Sequence, residues 1–64
     1  MPIPFQTIEE LQINLRGYRE SLRMLQTHEP NWSRADRPRG LESIAKVLER
    51  INETETELAM ATAR

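Results

Sequence analysis

The sequence has no cysteine, a single histidine, His28, and only two glycines. A disulfide is therefore excluded, and one histidine without cysteine all but removes a structural metal site. At 64 residues the chain forms one domain at most, and a domain of this size buries too little of its surface to be very stable. Because neither a disulfide nor a metal is expected as a support, we expect self-association or a partner protein to complete the core.

Long hydrophobic runs are missing too. No stretch approaches the roughly 20 apolar residues of a membrane span, and the first residues, MPIP, have neither the charge nor the apolar length of a signal peptide. Charged residues make up 30% of the chain, which is typical of water-soluble helical domains. We therefore expect a soluble cytoplasmic protein that does not bind membranes.

The residue combinations that carry catalysis are also absent. The sequence contains no cysteine nucleophile, no pair of histidines, no glycine-rich phosphate loop and no cluster with the spacing of metal ligands. His28 lies near a predicted helix end, where its charge suits the negative end of the helix dipole better than it suits a catalytic role. We therefore expect no enzymatic activity, no cofactor and no small-molecule substrate.

What the sequence does contain is helical periodicity, first over residues 8–28. Thr7 is followed three residues later by Glu10, which is a capping box and predicts that a helix begins directly after Thr7. Pro30 cannot continue a helix, so we expect this one to end near His28. Its apolar residues recur at spacings of three and four and lie on one face. They are Ile8, Leu11, Leu15, Tyr18, Leu22 and Leu25.

Residues 29–36 are predicted to form a connection, and residues 37–62 a second helix. Ser33 and Asp36 can each cap this helix, and Pro38 fits its first turn because the missing amide would have no partner there. The same spacing of three and four then resumes, first with aliphatic and later with polar residues. The predicted seam of the second helix is Leu41, Ile44, Leu48, Ile51, Glu55, Leu58 and Thr62.

Two helices of similar length joined by a short connection are expected to pack antiparallel. The predicted fold is therefore all-α, a single domain over residues 1–64 built as a two-helix antiparallel hairpin with a coiled-coil-like seam. Residues 1–7 would form an N-terminal arm. Phe5 in this arm and Trp32 in the connection are interpreted as closing opposite ends of the core, which we favour over a role as anchors for a partner.

The sequence carries more apolar helical surface than one hairpin can bury. Gly17 and Ser21 lie opposite the first seam, where small residues would let another backbone come close. Gly17 can equally be a residue that makes no such contact and that the helix tolerates at a cost in stability. A homodimer that forms a four-helix bundle accounts for the additional apolar faces. The predicted partner interface consists of Leu11, Ile13, Leu15, Gly17, Tyr18, Ser21, Met24, Val47, Leu48, Ile51, Leu58 and Met60.

Charge is distributed unevenly, although the net charge is only -1. Residues 16–39 contain six arginines against three carboxylates, which makes the turn end of the predicted hairpin positive. Arginine suits contact with phosphates, but a dedicated nucleic-acid-binding domain is usually basic overall. A solvated face or a docking patch for an acidic protein explains the pattern as well. The patch consists of Arg16, Arg19, Arg23, Arg34, Arg37 and Arg39.

These patterns favour a non-enzymatic protein–protein interaction module, such as a small adaptor, an assembly factor or a regulator. Its expected partner is a second copy of itself or a larger helical protein, contacted through apolar helical faces. The first alternative is a nucleic-acid-binding regulator that uses the arginine patch. The second is a structural component of a virion or of a secretion apparatus.

Overall fold

The computed structural model describes residues 7–63, so the predicted role of Phe5 lies outside the described part of the chain. Two α-helices, α1 (Ile8–His28) and α2 (Arg37–Thr62), are joined by a 3-10 turn, Glu29–Asn31, and a short irregular stretch. The two helices pack against each other, which confirms the all-helical part of the predicted fold class. Neither of them has the length and apolar character needed to cross a membrane.

The start of α1 is stabilised by the Thr7 half of the predicted capping box, whereas the Glu10 carboxylate accepts from the Thr7 hydroxyl in place of a backbone amide. The Thr7 hydroxyl oxygen accepts a hydrogen bond from the Glu10 backbone amide at 3.1 Å, and the same hydroxyl lies 3.2 Å from the Glu10 carboxylate, to which it donates. The first bond satisfies an amide that the helix itself leaves without a partner. Glu9 and Glu10 in the first turn also carry negative charge at the positive end of the helix dipole.

A second box of the same kind leads into α2. The Ser33 hydroxyl oxygen accepts from the Asp36 amide at 3.1 Å and donates to the Asp36 carboxylate at 2.9 Å. The Ser33 carbonyl also accepts from the Arg37 amide at 3.0 Å, so that helical hydrogen bonding begins one turn before α2 itself. Of the two predicted caps, Ser33 caps the turn that leads into α2, and Asp36, the N-cap residue of α2, makes no side-chain bond to a helix amide.

Contacts at both ends of the connection show that the helices run in opposite directions. Trp32, just after α1, lies over Gly40 in the first turns of α2. Arg37 pairs with the Glu29 carboxylate, which fastens the 3-10 turn to the start of α2. Farther from the connection, Arg19 in the middle of α1 reaches Glu55 in the second half of α2.

The core between the helices is small. Leu11 is 3% exposed and Leu15 is 7% exposed, and the other buried residue in the described chain, Thr54, is also 7% exposed. The hairpin is a rod with extents of 46 × 22 × 16 Å, so that each seam side chain is covered on one side only. Ile8, which was also predicted to lie in the seam of α1, is 41% exposed in the first turn of the helix, so the prediction was wrong there. The other seam residues of α1 are half-buried. These are Tyr18, Leu22 and Leu25.

α2 turns a different row of residues toward α1 from the row that was predicted. Leu41 and Leu48, which were predicted to lie in the seam, are 50% and 48% exposed. Glu55 and Thr62 are exposed as well, so the prediction was wrong at every second position of the seam. The covered residues of α2 beyond its first turn are Gly40, Ser43, Ile44, Val47, Ile51, Thr54, Leu58 and Ala61.

Glu55 explains this rotation of α2. A helix buries one continuous row of residues, so that turning Leu48 inward would also turn Glu55, seven positions later, toward α1. Burying an unpaired carboxylate costs far more than covering half a leucine gains. The observed rotation instead buries Thr54, whose hydroxyl donates to the Arg50 carbonyl at 2.8 Å and so is satisfied within its own helix.

Candidate interaction surface

The rotation of α2 leaves an apolar surface at the turn-proximal half of the helix. Leu41, Ala45 and Leu48 follow one another at spacings of four and three, which places them on one helix face. We call these three residues the α2 stripe. Its two leucines are 50% and 48% exposed, and Ala45 between them is exposed too. Two large apolar side chains with a small residue between them therefore lie half in water.

An ion pair identifies the flank of the hairpin on which the α2 stripe lies. Glu55 is seven residues beyond Leu48 on the same row, and its Oε2 accepts a hydrogen bond from Arg19 Nη2 at 2.9 Å. The stripe therefore lies on the flank where Arg19 crosses from α1. Both charged side chains are largely exposed, so that the pair itself contributes at most about 1 kcal/mol to stability.

The residues predicted to form a partner interface fall into three groups in the structure. Leu11 and Leu15 are already buried between α1 and α2, so they are not available to a partner. Those that are half-buried in the hairpin are Tyr18, Val47, Ile51 and Leu58. Those that are exposed are Ile13, Gly17, Ser21, Met24, Leu48 and Met60.

The exposed apolar residues outside the α2 stripe do not form a continuous patch. Ile13 and Met24 on α1 are 57% and 52% exposed, but they are about three helical turns apart. The Glu20–Arg23 ion pair lies within the span that separates them along the helix. Met60, near the end of α2, is 69% exposed. Ile8, in the first turn of α1, is 41% exposed. Among the residues that the structure describes, only the α2 stripe places two large exposed apolar side chains two turns apart on one face.

Gly17 faces open space in the single hairpin. A Cβ added at Gly17 would have nothing within 4 Å. We therefore expect Gly17→Ala to raise the free energy of unfolding by about 1 kcal/mol, because alanine has the higher helix propensity. Urea unfolding at low and high protein concentration measures this gain. A loss of stability that appears only at high concentration would instead show that Gly17 meets a second chain.

The predicted arginine patch is partly neutralised by carboxylates. Arg19 pairs with Glu55, Arg23 with Glu20, and Arg37 with Glu29. Within residues 7–63 no ion pair involves the remaining members of the patch, and all of them are exposed. These are Arg16, Arg34 and Arg39. Half of the patch is therefore already bonded within the hairpin, which weakens its attraction for phosphates.

The ion pairs of the described residues lie on the surface of the hairpin. Hydrogen bonding to Arg23, assisted by the charge of the guanidinium, holds the pKa of the Glu20 carboxyl below its usual value. The same bond and charge interaction raise the pKa of Arg23. In the described part of the chain no cluster of three or more potential metal-ligating side chains occurs.

Trp32 and its neighbours line an open depression of about 300 Å³ at the turn end of the hairpin. Trp32 is half-buried, and its ring lies against Gly40, which agrees with the interpretation that it closes one end of the core. The other residues that line the depression are Leu25, Asp36, Arg39 and Ser43.

The contact between Trp32 and Gly40 leaves no room for a larger residue. A Cβ added at Gly40 would lie 2.5 Å from Trp32 Cη2 and 2.6 Å from Cε3, so the ring would have to move. We expect Gly40→Ala to lower the free energy of unfolding by about 1 to 2 kcal/mol, since the cost of overpacking outweighs the gain in helix propensity. Urea unfolding checks the sign, and a red shift of Trp32 fluorescence reports the displaced ring. A gain equal to that of Gly17→Ala would contradict the contact.

The predicted partner interface does not include Leu41, because its spacing assigns it to the intramolecular seam. Ala45 is predicted only to widen the apolar surface of α2 beyond that seam. The available signal was Glu55 in the same row, since a charged residue in a narrow seam favours the neighbouring row that carries Val47 and Thr54.

Comparison with known proteins assigns no family to this hairpin. No protein-family model matches the chain, and neither a curated protein nor a solved structure matches it.

Proposed function

We propose that this protein is a non-enzymatic protein–protein interaction module, an adaptor, assembly factor or regulator, that binds through the α2 stripe. The observation that carries the proposal is the half-exposure of Leu41 and Leu48, two turns apart on one helix face with Ala45 between them. The spacing i, i+4, i+7 of the stripe is the pattern by which an amphipathic helix docks its apolar face against a partner. The stripe lies beside a core with few buried side chains. A partner that covers the stripe would therefore also stabilise the hairpin.

The size of the α2 stripe predicts weak to moderate binding. Complete burial of a leucine is worth about 1.5 to 3 kcal/mol, so covering the exposed half of each contributes about 1 kcal/mol. Two copies that cover each other's leucines would gain about 4 kcal/mol from these side chains. Since association also costs rotational and translational freedom, further contacts around the stripe must contribute, and dissociation constants in the micromolar to millimolar range are expected.

Concentration-dependent association, located by methyl resonances, tests the proposal. Sedimentation equilibrium from about 10 micromolar to 1 millimolar is expected to show self-association. Over the same range, the methyl resonances of Leu41 and Leu48 should shift with concentration. Those of Ile13 and Met24 serve as internal controls, because they are equally exposed on the other helix.

Two results would overturn the proposal. One is a folded monomer over the whole concentration range. The other is association in which Ile13 and Met24 shift while Leu41 and Leu48 do not, since the working surface would then lie on α1.

The alternative of nucleic-acid binding has less support from the contacts. The ion pairs of Arg19, Arg23 and Arg37 would have to be broken or shared before these side chains could neutralise phosphates. Salt-dependent retention on RNA or DNA that is lost on replacing Arg34 and Arg39 would favour this alternative over the interaction module.

A further inference from the structure

We infer that the partner of the α2 stripe is a second copy of this chain, bound antiparallel with the two-fold axis next to Ala45. The inference rests on the proposed function, because it names the occupant of the same surface. It adds an arrangement in which α2 of one copy crosses α2 of the other at the turn-proximal end, with the two α1 helices outside. The result is a four-helix assembly of two hairpins.

The α2 stripe is complementary to itself. In a two-fold contact the same surface is used on both subunits, so that residue i meets residue j and j meets i. With the axis next to Ala45, Leu41 of one copy lies against Leu48 of the other, and the reverse contact forms at the other side of the axis. Ala45 is exposed and small, which lets the two helices approach at the crossing point.

The charges of the hairpin favour the antiparallel arrangement. Residues 49–57 of α2 contain four glutamates and one arginine, whereas residues 34–39 contain three arginines and one aspartate. An antiparallel pair centred next to Ala45 sets the acidic segment of each copy beside the basic turn of the other. A parallel pair would set the two acidic segments side by side, and like charges across an interface disfavour such a pairing.

The charged groups concerned are available for this pairing. Arg34 in the basic turn is exposed, as are Glu49 and Glu53 in the acidic segment. Arg39 and Glu57 lie on the side of α2 away from the stripe and add only to the overall charge of their segments. The Arg50–Glu53 contact is long, at 3.7 Å, and leaves Glu53 about half exposed. Because such rim pairs are screened by salt, we expect added salt to weaken the dimer without changing the helix content of the chain.

Single cysteines placed in this cysteine-free chain test the arrangement. A disulfide forms only when the two Cα atoms come within about 7 Å of each other, a condition that helices crossing at Ala45 meet. We expect Ala45→Cys to give a covalent dimer in a glutathione redox buffer. Ala59→Cys is the matched control, since Ala59 is also an exposed alanine of α2, and in an antiparallel pair it lies far from its counterpart.

The outcomes separate this inference from the proposed function. Cross-linking of Ala45→Cys with a monomeric Ala59→Cys supports the antiparallel dimer, and equal cross-linking of both overturns it. If neither variant cross-links while the methyls of Leu41 and Leu48 still shift with concentration, the arrangement is wrong and the interaction surface stands. If the wild-type chain is also monomeric throughout, the proposed function fails with it.

Discussion

Replacing Leu15 by alanine is expected to lower the free energy of unfolding by about 2 to 5 kcal/mol. Leu15 is 7% exposed and is one of the few side chains that both helices cover. The substitution removes buried apolar surface and leaves a cavity that a two-helix rod can close only by shifting α2. Small domains have little stability in reserve, so we expect the variant to be largely unfolded at room temperature. Circular dichroism during urea unfolding measures the loss.

Ile13→Ala is the matched control for this experiment. Ile13 lies on the same helix but is 57% exposed, so its truncation should cost well under 1 kcal/mol. Equal losses for Leu15→Ala and Ile13→Ala would contradict the assignment of the core. A loss for Leu15→Ala that disappears at high protein concentration would show that a partner can restore the missing contacts.

Replacing Leu41 and Leu48 together by glutamine is expected to weaken self-association by two to three orders of magnitude, the equivalent of about 4 kcal/mol for two copies. Glutamine is close to leucine in helix propensity and carries no charge, so the hairpin itself should persist. The expected result is a chain that keeps its helix content at low concentration and sediments as a monomer at high concentration. Sedimentation equilibrium and circular dichroism measure the two effects on the same samples.

The corresponding control is the double substitution Ile13→Gln and Met24→Gln. These residues are 57% and 52% exposed, so the change removes as much exposed apolar side chain without touching the α2 stripe. We expect this variant to associate like the wild-type chain. If both double variants lose association equally, the attraction is a general effect of surface hydrophobicity and the assignment of the surface is wrong.

Local signals in the sequence predict α1 and its start well. The Thr7–Glu10 capping box acts over three residues, and the hydrogen bond that it predicts is present in the structure. Pro30 likewise ends α1 through its own geometry, independently of the rest of the fold. Signals of this kind can be interpreted without knowing what the helix packs against.

The face of α2 that packs on α1 could not be obtained in the same way. Two neighbouring rows of α2 share Ile44, Ile51 and Leu58, and the choice between the rows depends on the cost of burying Glu55 against the cost of burying Thr54. That choice involves α1, because Arg19 stabilises Glu55 on the outside of the hairpin. The two residues are 36 positions apart, and a contact over such a separation leaves no pattern in the local sequence. The exposure of Leu41 and Leu48 could not be predicted for the same reason, because it follows from the rotation of α2.

The central claim is that the α2 stripe is exposed in a single hairpin and becomes covered when the chain associates. The dependence of the midpoint of thermal unfolding on protein concentration tests this claim most directly. If association occurs only in the folded chain, the wild-type midpoint rises with protein concentration, and each 1 kcal/mol gained raises it by about 4 to 8 °C in a domain of this size. The Leu41→Gln, Leu48→Gln variant should unfold at the same temperature at every concentration. A wild-type midpoint that does not move over a hundredfold range of about 10 micromolar to 1 millimolar would contradict the account.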